Sequence, residues 1–189
     1  MSIFHKRQGQ MDLYDSYFFT QTITNFRHLL DDDSLKLIII NSMQFLVKNG
    51  YVEIYGYVIM PNHLHIIWSM LRSNGKESPA TSFSKYTAHA FKKSLTKDPK
   101  LLNTYLSGKK DREYQFWKRD PLAIPLSTDD ILVQKLDYIH NNPVAWKNPL
   151  CSTAEDYRWS SANFYLTGVD EFDFLTDFRD ELLSAGDND

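Results

Sequence analysis

Between Tyr51 and Met70 the chain runs through two β-branched and aromatic segments, broken only at Pro61-Asn62. Such segments read as strands, and the proline–asparagine pair reads as a tight connection, so this stretch predicts an antiparallel hairpin. Successive side chains of a strand point to opposite faces. His63, His65 and Ile67 therefore share one face of the second strand, and Leu64, Ile66 and Trp68 share the other. Two ring nitrogens stand side by side on a rigid element. The pattern alone fits either two satisfied histidines on a partly exposed strand or half of a metal site.

The rest of the chain supplies partners for the hairpin. Tyr17 to Thr24 alternates like a first strand, and Asp31-Asp32-Asp33-Ser34 offers caps for a helix through Val47 that Asn49-Gly50 stops. A loop from Arg72 to Pro79 leads to a second helix over Thr81 to Leu95, and Lys97 to Arg119 is basic and poorly patterned. Leu122 to Leu126 reads as a short fourth strand, kept to a sheet edge by Pro125. Strand–helix–strand–strand–helix–strand is the order of a ferredoxin-like (RRM-like) α+β fold, an antiparallel sheet with helices on one side. With 189 residues, 12 Phe, 11 Tyr and 4 Trp, one compact domain over 1–150 is expected, with 151–189 as an acidic, helical C-terminal extension packed on it.

A further helix starts at Thr128 or Asp129, with acidic residues in its first turn and Ile131, Leu132, Leu136 and Ile139 along an apolar face. Pro143 is expected to end it. Tyr138 and Asn142 are four apart and project from one side. A phenol that can become a nucleophile thus stands next to a carboxamide oxygen that can bind a hard cation. Read without further context, Tyr138 fits better a helical tyrosine with its ring in the core, as most helical tyrosines are. His140 points away from both and reads as structural or solvent-facing.

Three separated motifs, Met60-Pro61-Asn62-His63-Leu64-His65, Asp137-Tyr138-Ile139-His140-Asn141-Asn142-Pro143-Val144 and Asp156-Tyr157-Arg158-Trp159-Ser160-Ser161-Ala162, together resemble a REP-associated tyrosine transposase. That family belongs to the single-tyrosine, HUH-type transposases acting on single-stranded DNA, and the likeness runs from about Tyr17 to about Thr167. It implies an HUH endonuclease type of fold, a divalent metal on His63, His65 and Asn142, and attack on DNA by Tyr138. Two imidazoles with an amide oxygen form a mixed nitrogen and oxygen set that permits Mg²⁺ or Mn²⁺. Metal on such a set can polarise a phosphodiester and fix it for in-line attack. The product would be a 5′-phosphotyrosine and a free 3′-hydroxyl at hairpin-forming repeats. The family resemblance implies a monomer working in cis, with a dimer exchanging its tyrosine helix as the alternative.

Net charge is −3, which argues against indiscriminate nucleic-acid binding, but its distribution is uneven. Between Ser84 and Arg119 ten basic residues face three acidic ones, a net +7, whereas Thr153 to Asp189 carries ten acidic residues and two Arg, a net −8. Lys85, Lys92, Lys93, Lys109, Lys110, Arg112, Lys118 and Arg119 are the expected phosphate contacts. Tyr114, Phe116 and Trp117 interleave with them and either stack unpaired bases or fill the core. The single Cys151 rules out an intramolecular disulfide. With no apolar signal-like run at the amino terminus, it fits a cytoplasmic protein. A domesticated protein that binds a repeat hairpin without transposing it is the second functional reading. An RNA-binding module is disfavoured by the missing ribonucleoprotein signature, and a plasmid-type replication initiator by the Tyr138-to-Pro143 context.

Overall fold

The computed structural model describes residues 11–180. The amino-terminal stretch read for a signal peptide and residues 181–189 of the acidic extension lie outside them. Four strands, β1 (Ser16–Thr22), β2 (Val52–Ile59), β3 (His63–Met70) and β4 (Leu122–Pro125), form one sheet in the order β2-β3-β1-β4 with every neighbour antiparallel. This is the ferredoxin-like arrangement that the element order predicts. The fourth strand sits at an edge, where Pro125 leaves no donor missing from an interior ladder.

Helices α1 (Asp33–Lys48) and α2 (Pro79–Leu95) cover one face of the sheet. Asp32 caps α1 by accepting from the Ser34 amide at 2.8 Å, and Ser78 caps α2 by accepting from the Thr81 amide at 3.2 Å. Phe83, Thr87, Phe91 and Leu95 recur every four residues and form the buried stripe of α2. Trp68 of β3 meets Phe83 edge to face at 6.0 Å, so the Leu64–Ile66–Trp68 face is the one these helices cover. The basic connection is less irregular than its sequence suggests, since it contains a short helix, α3 (Pro99–Asn103).

The other face carries the histidines. Thr20 lies opposite His65 and Thr22 opposite His63 on β1, while Val58 and Gly56 of β2 lie opposite His65 and Ile67. Helix α4 (Asp129–Ala145), capped by Thr128, is laid across this face. Contrary to the sequence expectation, Pro143 does not end α4. It is buried within the last turn, and the helix continues to Ala145. A proline so near the terminus removes only one late intrahelical bond, and its carbonyl is still used, by the Leu150 amide at 2.9 Å.

Gly56 is what lets α4 come this close. A Cβ there would stand 2.4 Å from Leu136 Cδ2, 3.3 Å from Ile139 Cδ1 and 3.2 Å from Ser161 Oγ. Gly56→Val is expected to force α4 away from the sheet and destabilise the protein by about 1–3 kcal/mol, the usual cost of overpacking a filled core. Urea unfolding checks this, and an unchanged midpoint would mean that α4 docks elsewhere.

Beyond α4 the chain forms a strap, with helical geometry at a 3₁₀ turn over Ala154–Asp156, at α5 (Ala162–Thr167) and again over 178–180, where the described residues end. The strap pairs with the free edge of β2: the Ile59 amide donates to Trp159 O at 2.8 Å, and the Ser161 amide to Tyr57 O at 3.0 Å. It touches both sheet faces. Trp159 carries Lys36 of α1 over its ring at 5.1 Å, while Ser161 Oγ meets His140 Nε2 of α4 at 2.8 Å. Covering an edge in this way removes a template for unwanted strand pairing. Among the described residues, no helix is long and apolar enough to cross a membrane.

Candidate active site

His63 and His65 lie edge to face with ring centroids 4.8 Å apart. Each has one nitrogen fixed by a neighbour. His65 Nδ1 is 2.7 Å from Thr20 Oγ1 across the ladder, and His63 Nδ1 is 2.7 Å from Asn62 Oδ1 in the turn before β3. Asn62 is itself held. Its carbonyl accepts from the Ile23 amide at 2.8 Å, and its side chain donates to Phe26 O at 3.4 Å. An amide oxygen on His63 Nδ1 requires a proton there, which leaves Nε2 with its lone pair. His65 Nε2 is buried and has no hydrogen-bond partner. An unpartnered buried nitrogen is costly unless something binds it.

Both imidazoles are neutral around pH 7. Burial lowers His63 to about 4. Burial, helped by His63 and by the Lys135 ammonium, lowers His65 to about 3. Their lone pairs are thus available over the physiological range.

Tyr138 projects from α4 onto this pair. Its ring lies edge to face with His65 at 5.5 Å and with Phe18 at 5.9 Å, and Phe18 in turn stacks on His65 at 5.0 Å, so the three rings form one triangular cluster. It remains 51% exposed, so the core reading of this tyrosine does not hold and its hydroxyl is open to a large substrate. The histidines and the tyrosine that meet here belong to one chain.

Asn142 stands one turn further on, half-buried, with Nδ2 donating to Tyr138 O at 3.3 Å. Four residues beyond it, Trp146 lies against His63 at 5.6 Å. Tyr138 and Asn142 are four apart on α4, Trp146 follows its last residue, and Tyr138 and Trp146 touch His65 and His63 respectively. Asn142 is therefore on the stretch of helix that runs past the histidine pair. Among the described residues no three His, Cys, Asp or Glu cluster as a metal site, so an ion here would rest on two imidazoles and neutral oxygen. The unpartnered His65 Nε2 and the oriented His63 fit such an ion, and a donor set this small leaves positions open for phosphate and water.

His140 takes no part in this group. It faces the strap, with Nε2 on Ser161 Oγ at 2.8 Å and its ring 5.5 Å from Tyr165, and burial lowers it to about 4. Sequence reasoning overlooked Thr20, Asn62, Trp146 and Lys135. Asn62 had a signal in its place directly before His63, but the others become neighbours only through the fold.

The basic segment folds against α2 and encloses a groove of about 320 Å³ whose lining includes Lys85, Arg112, Lys118 and Arg119, with Ser84 and Gln21 among its polar groups. Lys93, Lys109 and Lys110 are exposed on the same segment and helix. Several cations have acidic neighbours: Lys85 pairs with Glu77, Lys92 with Glu113 at 2.6 Å, and Arg112 and Arg119 share Asp111 at 2.7 and 3.2 Å. Such solvent-exposed pairs are weak and exchange readily for phosphate. Trp117 corrects the sequence expectation of a base-stacking role. It is 6% exposed, packs on Phe91 at 5.6 Å and donates its indole N–H to buried Thr87 at 2.9 Å. Phe116 is likewise core, and its ring stacks on Tyr105 at 5.0 Å. The groove lies on the α2 side, where Gln21 meets Ser84, and the segment that forms it is tied to the end of β1 by the Lys118 amide, which donates to Thr22 O at 2.7 Å.

No protein-family model and no curated protein matches this sequence. Among solved structures, the chain is similar to a REP-associated tyrosine transposase bound to a REP hairpin. The TM-score is 0.60 at 19% identity, over 94% of this chain and 93% of that one. A protein of Deinococcus radiodurans R1 assigned as a transposase aligns over 72% of this chain and 97% of that one, at 18% identity and a TM-score of 0.42. The first likeness establishes a shared fold across nearly the whole chain.

Proposed function

We propose that this protein is a REP-associated tyrosine transposase, a metal-dependent endonuclease and strand transferase for single-stranded DNA at hairpin-forming repeats. One observation carries the reading: an exposed phenol, Tyr138, is packed against His65, whose buried Nε2 lacks a partner. It is supported by a fold shared with a transposase bound to its hairpin. A helical tyrosine needed only for packing has no reason to sit half in solvent against an oriented, buried imidazole.

His63, His65 and Asn142 would hold Mg²⁺ or Mn²⁺, which when bound supplies Lewis-acid stabilisation of charge on the phosphate oxygens. Thr20 and Asn62 keep the two rings in the required orientation, so little reorganisation is needed when substrate arrives. The Tyr138 hydroxyl oxygen attacks phosphorus and loses its proton, the bond to the 3′ oxygen breaks, and that oxygen leaves as a hydroxyl. The 5′ side stays on the tyrosine as a phosphodiester, so the reverse attack by a 3′-hydroxyl reseals DNA without ATP. Contact between Tyr138 and His65 of the same chain supports action in cis by a monomer.

The test is a covalent one. Wild-type protein incubated with Mn²⁺ and a set of stem-loop single-stranded oligonucleotides is expected to yield a denaturation-resistant adduct, with the nucleotide mapped by mass spectrometry to the Tyr138 peptide. An adduct on another residue, or none with any oligonucleotide, defeats the proposal.

The groove of Arg112, Lys118 and Arg119 would hold phosphates of the hairpin that flank the cleaved strand. Charge reversal at these three is expected to weaken hairpin binding by at least about tenfold, and to flatten the dependence of log K on log salt by about one for each phosphate that is no longer neutralised. Fluorescence anisotropy across a salt series reads both quantities, and an unaltered slope would place the DNA elsewhere.

A further inference from the structure

Lys135 is the one basic side chain of α4, if His140, neutral at physiological pH, is left aside. It lies one turn before Tyr138 on the same helix. A half-exposed lysine ordinarily extends its ammonium into water. This one turns back, with Nζ 5.1 Å from the Phe18 ring centre and 5.7 Å from the Tyr138 ring centre. Those rings are the ones packed on His65. Among the described residues Lys135 forms no ion pair, while most cations of the basic groove do.

The hydroxyl of Thr20 and the amides of Asn62 and Asn142 carry no formal charge, and α4 brings no other Lys or Arg to the site. A phosphodiester brought to the Tyr138 hydroxyl would thus meet one fixed positive charge from this chain, carried on a flexible stem and resting on aromatic faces.

On the reading of Tyr138 as nucleophile, we infer that Lys135 is a substrate-contacting catalytic residue, whose ammonium moves from the Phe18 and Tyr138 rings onto a non-bridging oxygen of the scissile phosphate. Charge grows on those oxygens as the tyrosine attacks, so a preorganised cation binds the transition state more tightly than the ground state. A long stem parked on aromatic faces keeps the charge within reach while leaving the phenol accessible. Among the described residues no ion pair neutralises it before substrate arrives.

The experiment compares Lys135→Met, Lys135→Gln and Lys135→Arg with wild type in single-turnover adduct formation, using the stem-loop oligonucleotide that wild type cleaves and Mn²⁺. The two neutral variants are expected to react about 100-fold more slowly, the usual size of losing one charged or hydrogen-bonding stabiliser. Lys135→Arg should stay within about tenfold of wild type because it restores the charge. The discriminating measurement repeats the comparison with a methylphosphonate at the scissile position, which removes the negative charge. There the neutral variants should lose little relative to wild type. A loss equal on both substrates would mean that Lys135 only packs α4, and a neutral variant as fast as wild type would overturn the inference. Absence of any adduct in wild type itself would instead remove the nucleophile reading, and the role of Lys135 with it.

Discussion

Tyr138→Phe is expected to form no adduct with DNA while binding hairpin oligonucleotides within about threefold of wild type. The substitution deletes one oxygen and keeps the ring that packs on His65 and Phe18. Because the residue is 51% exposed, the lost hydroxyl leaves no buried group unpaired, and stability should change by less than about 0.5 kcal/mol. On the proposed reading, binding would rest on other elements, chiefly the groove lined by Arg112, Lys118 and Arg119. The expected result is therefore a clean separation of recognition from chemistry. It is read by denaturing electrophoresis for the adduct and by anisotropy for the hairpin. A persistent adduct in the variant would name a different nucleophile. Binding by wild type with no adduct across a fair set of repeats would favour a protein that recognises hairpins without cutting them.

How much of this site could be read beforehand depends on whether the signal is local. The alternation of β3 and the caps of α1 and α4 are properties of a few consecutive residues, so the hairpin, the helices and the shared face of His63 and His65 were legible. The spacing of Tyr138 and Asn142 was legible for the same reason. That α4 crosses the histidine face was implied by resemblance, but its cause is not local. It depends on a missing side chain at Gly56, about eighty positions before Leu136 and Ile139, which a periodicity argument cannot weigh. Pro143 misled because a proline in the last turn costs little, so the helix ran on and brought Trp146 to His63. Trp117 misled because aromatics beside lysines serve cores as well as bases. Thr87, which receives its indole proton, shows itself only in the packed protein. The strap was the least legible element. Its backbone pairing with β2 and its two-sided anchoring through Trp159 and Ser161 leave no periodic trace.

Replacing both His63 and His65 by alanine is the second substitution from which a total loss is expected. If the two Nε2 atoms hold the ion, no other pair of side chains in the site can replace them. Asn142 alone offers a single neutral oxygen, and among the described residues no alternative cluster of His, Cys, Asp or Glu exists. DNA cleavage should fall below detection at any Mn²⁺ concentration, while hairpin binding persists. A second readout does not depend on activity. Wild-type protein should melt at a higher temperature as Mn²⁺ is added, because an ion that binds only the native state stabilises it by mass action. The double variant should show no such rise. A further difference follows from burial. His63 and His140 are held at about 4 and His65 at about 3, all below their ordinary values, so the unfolded chain binds protons that the native protein refuses. The stability that depends on these neutral rings is present in full above about pH 6.5, the unfolded value. It declines as the pH falls through the window down to about 4 and 3, the native values. With two of the three histidines removed, the double variant should lose less stability between pH 7 and 4 than wild type does. The missing rings will lower its stability at pH 7, since His65 is buried and bonded to Thr20. Two curves of unfolding free energy against pH should therefore start apart and converge toward acid. Curves that stay parallel would mean that the two imidazoles are not held neutral by the fold. Retained Mn²⁺-dependent cleavage would mean that they do not hold the ion.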